Sequence, residues 1–297
     1  MIYSCWMKYL KDDAKLTKIA IPGAHNTGSY NMNRLAKCQN GDMYEQFLYG
    51  IRFFCTRLNT DRKGKIRQAH GKSFGNLFEE ELKDWQKMLE TNDSEIFIFD
   101  VREYYPQNFG PLHFRYHVDN DEMDRLLEKY IKPSELAYTD FEDINNITIG
   151  DLRRTGKRYI LINYESAYKN SVNCPMDNPW EYRLFGSKVE KFIPNNLKYF
   201  DRDYPGFFWF QAQLTPNLGT EYGVLTPKHL DDILKPHFHE FTKTISNNPK
   251  YLKKANIIAG DFMTDDHMKS RLILTLNADK GIVKDELEEE YLRGLVC

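Results

Sequence analysis

The sequence predicts an α/β fold closed into one barrel, and three observations carry that reading. Short apolar runs rich in β-branched and aromatic residues alternate with amphipathic stretches, the pattern of parallel strands joined by helices. The 297 residues suit one (β/α) barrel, whose usual size is about 250 residues. Glycine and proline are spread evenly, with no internal repeat, low-complexity tract or long linker, so a single domain over residues 1–297 is expected.

The first strand is Ile19-Ala20-Ile21. Pro22-Gly23 is expected to end it, because proline removes a donor and glycine permits a sharp turn. Further strands are expected over 51–58, 66–69, 95–101, 158–163, 207–211 and 255–261. Between them, residues 43–49 place Met43, Phe47 and Leu48 on one helical face. Residues 77–89 bring Leu77, Phe78, Leu82, Trp85, Met88 and Leu89 to helical spacing. Helices are also expected over 120–130, 188–192, 227–246 and 285–295. The opening order β-α-β-β-α-β implies mostly parallel strands, and in such folds chemistry gathers where strands end at their carboxyl side.

Composition excludes several classes. A formal net charge of −2 offers no bulk field for nucleic acid. Tyrosine and phenylalanine, at 19 each, suit sugar or lipid ligands and suit core packing equally. Five cysteines are scattered, without the CxxC or Cys/His spacing of a zinc site, and read as free thiols in a reducing compartment. No metal and no cofactor are expected. No run approaches the ~18 apolar residues of a spanning helix, and residues 1–6 show no basic, apolar leader. The expectation is a soluble monomer, secreted if a leader has been removed.

The strand-end filter selects few residues. His25 follows the first strand, in the small and polar stretch Ala24-His25-Asn26-Thr27-Gly28-Ser29. Arg57 ends the run from Gly50, His70 ends Ile66-Arg67-Gln68-Ala69, and Asp261 ends Ile257-Ile258-Ala259-Gly260. Asp100 and Arg102 close Glu95–Arg102. Each has a plain structural alternative: a surface ion pair for Arg57, a turn for His70, a cap for Asp261, a rim ion pair for Asp100 and Arg102. Their convergence points to phosphodiester cleavage. One histidine removes a proton from an attacking hydroxyl and the other protonates the leaving oxygen. A guanidinium answers the charge on phosphorus, and a buried carboxylate orients one imidazole.

The same residues carry a resemblance. Ile21-Pro22-Gly23-Ala24-His25-Asn26-Thr27-Gly28, Gly50-Ile51-Arg52 leading to Arg57, His70-Gly71 and Asp261-Phe262 together look like the X domain of phosphatidylinositol-specific phospholipases C. Trp6-Met7 resembles the start of bacterial members. The resemblance implies an irregular TIM-type barrel. It implies attack of the inositol 2-hydroxyl on phosphorus, giving diacylglycerol and inositol 1,2-cyclic phosphate. It implies His25 as general base, Asp261 as its orienting partner, His70 as general acid and Arg57 on the phosphate. Asn26, Asp100, Arg102, Asn163, Lys72 and Gln211 are the substrate-side candidates, with Arg102 and Asn163 at positions where bacterial members bind substrate.

Departures from the bacterial pattern are definite. Asn26 and Cys55 stand where aspartates are found, and Asn163 where an arginine is. Gly-Ala-His-Asn and Gln211-Ala212-Gln213-Leu214-Thr215-Pro216 resemble the trypanosomal enzymes that cleave glycosyl-phosphatidylinositol anchors. Calcium-dependent relatives need acidic ligands where Cys55 and Arg57 stand, and a thiol and a guanidinium make no hard oxygen site. Metal-independent turnover is therefore expected on membrane phosphatidylinositol or a glycosylated anchor lipid, with Phe109–Phe114 as a candidate lipid-dipping loop. Two rivals stay open. One is a glycerophosphodiester or sphingomyelinase D type of phosphodiesterase, which needs a carboxylate cluster near the first histidine. The other is an impaired phosphoinositide-binding module.

Overall fold

The computed structural model describes residues 2–71, 73–104, 117–163, 168–174, 176–177, 197–203, 205–214 and 226–296. The expected helix over 188–192, the loop Phe109–Phe114, Lys72, Thr215 and Pro216 lie outside the described residues. Among the described residues nine strands form the sheet: β1 (Ile21–Ala24), β2 (Phe53–Thr60), β3 (Ile66–His70), β4 (Ser73–Leu77), β5 (Phe97–Glu103), β6 (Tyr159–Ile162), β7 (Met176–Asp177), β8 (Phe207–Gln211) and β9 (Ile257–Gly260). Seven of them run parallel in the order β6-β5-β2-β1-β9-β8-β7. This is the curled sheet of an irregular (β/α) barrel.

Strand alternation sorts the side chains onto two faces. Ile21, Phe53, Cys55, Ile98, Ile160, Ile162, Trp209, Ile257 and Ala259 fall in one buried cluster on the inner face. Phe54, Phe97, Phe99, Tyr159, Leu161, Phe208, Phe210 and Ile258 fall in the other, where the helices cover the outer face. Strands buried on both faces read as near-continuous apolar runs, which is why the sequence shows them clearly. Trp85 of the helix Phe78–Thr91 stacks on Phe99 with ring centroids 3.9 Å apart. Each such side chain contributes about 1.5–3 kcal/mol when fully buried.

The amino ends of the strands are closed by a buried ion pair. Arg52 Nε and Nη2 donate to Glu95 Oε2 at 2.8 and 2.6 Å, and both side chains are fully buried. Arg52 also donates to the carbonyls of Phe47, Ile51 and Tyr3, and Glu95 accepts from the Met7 amide, so the pair ties the N-terminal segment to the sheet.

Several expectations are corrected. Pro22 and Gly23 do not end the first strand but lie inside β1, opposite Ile258 and Ala259 of β9. A Cβ on Gly23 would come 2.9 Å from both Ala259 Cβ and Phe53 Cδ1, so glycine permits the close approach of three strands. The helix expected over 227–246 is two, Pro227–Leu234 and Phe238–Ser246, separated by a 3-10 turn at Pro236. The helix Met268–Asp279 went unforeseen because Lys269, Ser270 and Asn277 are buried among its apolar residues and blur the stripe. Asn277 uses that burial to bond both the amide and the carbonyl of Ala20, docking the helix beside β1. Strands β3 and β4 are antiparallel and project from the end of β2.

Candidate active site

The inner-face parity of each strand, carried to its carboxyl end, delivers the polar residues to one mouth. Ile21 and Gly23 lead to His25, Phe53 and Cys55 to Arg57, Ile98 to Asp100 and Arg102, Trp209 to Gln211, and Ile257 and Ala259 to Asp261. His70 arrives by another route. Asp61 accepts from the amides of Lys63 and Lys65 and turns the chain back. The antiparallel pairing Leu58↔Gln68 then returns His70 to the mouth.

His25 and Asp261 make the central contact: Nδ1 of His25 lies 2.8 Å from Oδ1 of Asp261, and both residues are buried. With Nδ1–H donating to the carboxylate, the Nε2 lone pair is turned toward Nη2 of Arg57 at 3.5 Å. The rings of His25 and His70 are 6.2 Å apart and perpendicular. His70 donates Nδ1–H to the Ala36 carbonyl at 2.8 Å, which leaves its Nε2 as the atom that exchanges protons. The two imidazoles and the guanidinium therefore share one pocket, as the strand-end filter anticipates.

Burial dominates the electrostatics. It holds His25 well below the ordinary imidazole range, reinforced by the cations Arg57 and Arg102. It pushes His70 down to about 4 and raises the Asp261 carboxyl to about 7. Lys269 is the first group opposing that rise at Asp261. Its Nζ donates to the Asp261 backbone carbonyl at 2.6 Å and pairs with buried Asp231.

The other sequence candidates separate. Asp100 does not orient Arg57: its Oδ2 accepts from Arg102 Nε at 2.6 Å, and Arg102 lies over the Trp209 ring at 4.9 Å. Arg57 instead lies near the Tyr104 ring, 6.0 Å from its centroid. Cys55 pairs with Asp100 across the β2–β5 ladder. Asn163 has the parity opposite to Ile160 and Ile162, and its Nδ2 donates to the Val101 carbonyl. Gln211 is buried and accepts from Gln213. Asn26 adopts φ +45° and donates to Cys38 Sγ at 3.7 Å.

Three residues at the site carry no signal in the sequence. Gln39 donates to the carbonyls of His25 and Gly260 and accepts from the Met263 amide, lacing the loop before Gly41 to the ends of β1 and β9. Lys269 sits on the unforeseen helix. Cys38, in a polar loop, places its Sγ 3.8 Å from His70 Nδ1.

No protein-family model matches the chain. A 71-residue stretch is 37% identical to 1-phosphatidylinositol phosphodiesterase of Staphylococcus aureus strain Newman, covering 22% of this chain and 23% of that protein. The same enzyme of strain NCTC 8325 / PS 47 matches at 37% over 71 residues, with 22% of each chain covered. The match thus spans under a quarter of these curated relatives' length. In three dimensions the chain is similar to phosphatidylinositol-specific phospholipase C from Listeria monocytogenes, with a TM-score of 0.65 and 20% identity over 93% of this chain and 98% of the other. An S. aureus phosphatidylinositol-specific phospholipase C structure gives 0.66 and 18% over 92% and 97%. The resemblance drawn from the motifs is borne out by these relatives, and the fold is that of the TIM-type barrels they share.

Proposed function

We propose that the chain cleaves the glycerol–phosphate bond of phosphatidylinositol, or of a glycosylated anchor lipid, by intramolecular attack. His25 Nε2 takes the proton of the inositol 2-hydroxyl as that oxygen bonds to phosphorus. The bond from phosphorus to the glycerol oxygen breaks, and His70 Nε2 gives that oxygen its proton. The products are diacylglycerol and inositol 1,2-cyclic phosphate. Arg57, beside His25 Nε2, answers the charge on the phosphate oxygens, and Asp261 stabilises the imidazolium that forms on His25. The observation that carries this reading is the pairing of His25 with Asp261 on one side and Arg57 on the other, 6.2 Å from the ring of His70.

Burial pushes His70 down to about 4, which favours its neutral form. A phosphodiester anion beside it favours the protonated form, so substrate brings the acid into its working state. Arg102 and Gln211, at the same mouth on β5 and β8, serve the headgroup in this reading. Leu35 is 58% exposed next to Ala36, the residue that holds His70, and supports an apolar contact with the bilayer surface at the mouth. Charge from Arg57 replaces that of a calcium ion in this reading, so turnover is metal-independent.

The test is release of cyclic inositol phosphate from phosphatidylinositol vesicles and from a glycosylated anchor, in excess chelator. Cyclic product from either substrate is the expected result. Lipid binding without product points to the binding module. Turnover that stops in chelator and returns with magnesium or calcium points to the metal-dependent phosphodiesterases. Either outcome rejects the proposal.

A further inference from the structure

Among the described residues, the mouth holds a reactive group that the mechanism leaves idle. Cys38 is buried, and its thiol lies among His70 Nδ1 at 3.8 Å, the Asn26 amide at 3.7 Å and Asp261. His25, Cys38 and Asp261 each present a donor atom, all within 4.8 Å of one another, and all three residues are buried. Beside them the Oδ1 of buried Asn26 has no hydrogen-bond partner among the described residues. Nitrogen, sulfur and oxygen together are the donor set of zinc and its borderline neighbours, whereas calcium and magnesium take oxygen. Metal–ligand bonds of about 2.0–2.3 Å in a tetrahedron put donor atoms about 3.3–3.6 Å apart. The His25–Asp261 contact at 2.8 Å needs to open slightly and the thiol to close in, by about 1 Å, within the reach of side-chain torsions.

We propose that His25, Cys38 and Asp261 form an inhibitory site for zinc or a like ion, with its fourth position taken by water or His70. This rests on the reading of His25 as the base. Binding releases the thiol proton to solvent and moves the His25 proton from Nδ1 to Nε2, so that Nδ1, Sγ and Oδ1 hold the ion. Nε2–H then occupies the position that must accept the substrate proton, and Asp261 no longer orients the ring. The Asn26 amide donates to the thiolate and steadies it as an outer-sphere partner. In the sequence, Cys38 has no zinc-type spacing, and only the fold brings it to His25 and Asp261.

Cobalt(II) alone is the probe. The wild-type chain is expected to show a sulfur-to-cobalt charge-transfer band at one equivalent that zinc abolishes. Cys38→Ala and Cys38→Ser lose the band and bind cobalt at least about tenfold more weakly. Zinc suppresses cyclic phosphate release by the wild type at concentrations about tenfold lower than for Cys38→Ala, and chelator reverses it. Protection of Cys38 from an alkylating reagent by zinc, read by peptide mass on the wild type, decides the matter without a variant. No band in the wild type, a band retained by both variants, or unprotected Cys38 overturns the site. A cobalt band in a chain that releases no cyclic phosphate leaves the metal site standing and rejects the lipase reading. Turnover in chelator with no band does the reverse.

Discussion

Asp261→Asn isolates the contribution of the carboxylate behind the proposed base. The substitution keeps size and shape and removes one charge. In the native site, Oδ1 lies 2.8 Å from His25 Nδ1 and the residue is 3% exposed, so solvent does little to screen the pair. When His25 takes the substrate proton, two unit charges about 4 Å apart attract by about 4 kcal/mol at an effective dielectric of ~20. The asparagine carbonyl still accepts from Nδ1–H and restores about 1 kcal/mol. The remaining loss of about 3 kcal/mol is about a hundredfold in kcat/KM, at 1.36 kcal/mol per factor of ten. The assay is kcat/KM on a soluble inositol phosphodiester, which removes membrane binding from the readout, with thermal melts to check folding. The native carboxyl, raised to about 7 by burial, must be ionised to act, so activity falls as pH drops below about 7, and that limb vanishes in the variant. A folded Asp261→Asn within about threefold of the native rate, with the acid limb unchanged, would refute the role given to this carboxylate.

Three further outcomes follow from the same geometry. Lys269→Met removes the first group that holds the Asp261 carboxyl down, so the acid limb of kcat/KM moves to higher pH; Lys269→Arg keeps the limb near its native position, and an unmoved limb in the methionine variant removes Lys269 from the site's electrostatics. Arg57→Ala and Arg57→Lys are each expected to lose at least about tenfold in kcat/KM, because a lysine places a point charge where a planar fork faces the phosphate; smaller losses in either mean the phosphate is held by another group. Glu95→Gln leaves the Arg52 guanidinium buried without its counter-charge and is expected to cost about 3–5 kcal/mol by denaturant melts while sparing the kcat/KM of folded protein; a loss under ~1 kcal/mol makes the pair dispensable.

Much of the site was legible because parallel strands write themselves plainly. Both faces are buried, so Ile257-Ile258-Ala259 and Phe97-Ile98-Phe99 stand out, and the first polar residue after each run is a candidate. Period-two alternation refines this: Arg57, Arg102, Gln211 and Asp261 share the parity of the inner cluster, whereas Asn163 does not and instead bonds a backbone carbonyl. Applied to the sequence, that rule would have separated Asn163 from the rest. Other features had no local signature. His70 lies on an antiparallel arm rather than a barrel strand, and it returns to the mouth because the Asp61 turn sets the register. Pro22 reads as a strand end locally, yet the pairing with β9 carries through it. Gln39 bonds to residues more than 220 positions away, Cys38 meets His70 across loops, and Lys269 reaches back over a turn to the Asp261 carbonyl, none with a sequence motif to mark it.

The resting site is a set of groups that burial pushes toward neutrality: His25 and His70 downward, Asp261 and the Cys38 thiol upward. Asp100, buried as well, is answered by Arg102 at 2.6 Å. Arg57 faces His25 Nε2 at 3.5 Å. A neutral base beside a cation resists premature protonation, so His25 enters the reaction able to accept the hydroxyl proton. In the proposed reaction the phosphodiester supplies the negative charge that pairs with Arg57 and favours the protonated form of His70. The substrate thus carries the missing charge to the site in that reaction, and the thiol of Cys55 and the guanidinium of Arg57 offer no hard oxygen ligand. A softer ion meets a different donor set at His25, Cys38 and Asp261, whose nitrogen, sulfur and oxygen lie within 4.8 Å of one another. In the proposed reading the two kinds of ion act oppositely, calcium being refused by the thiol and guanidinium of Cys55 and Arg57 and zinc being held by His25, Cys38 and Asp261.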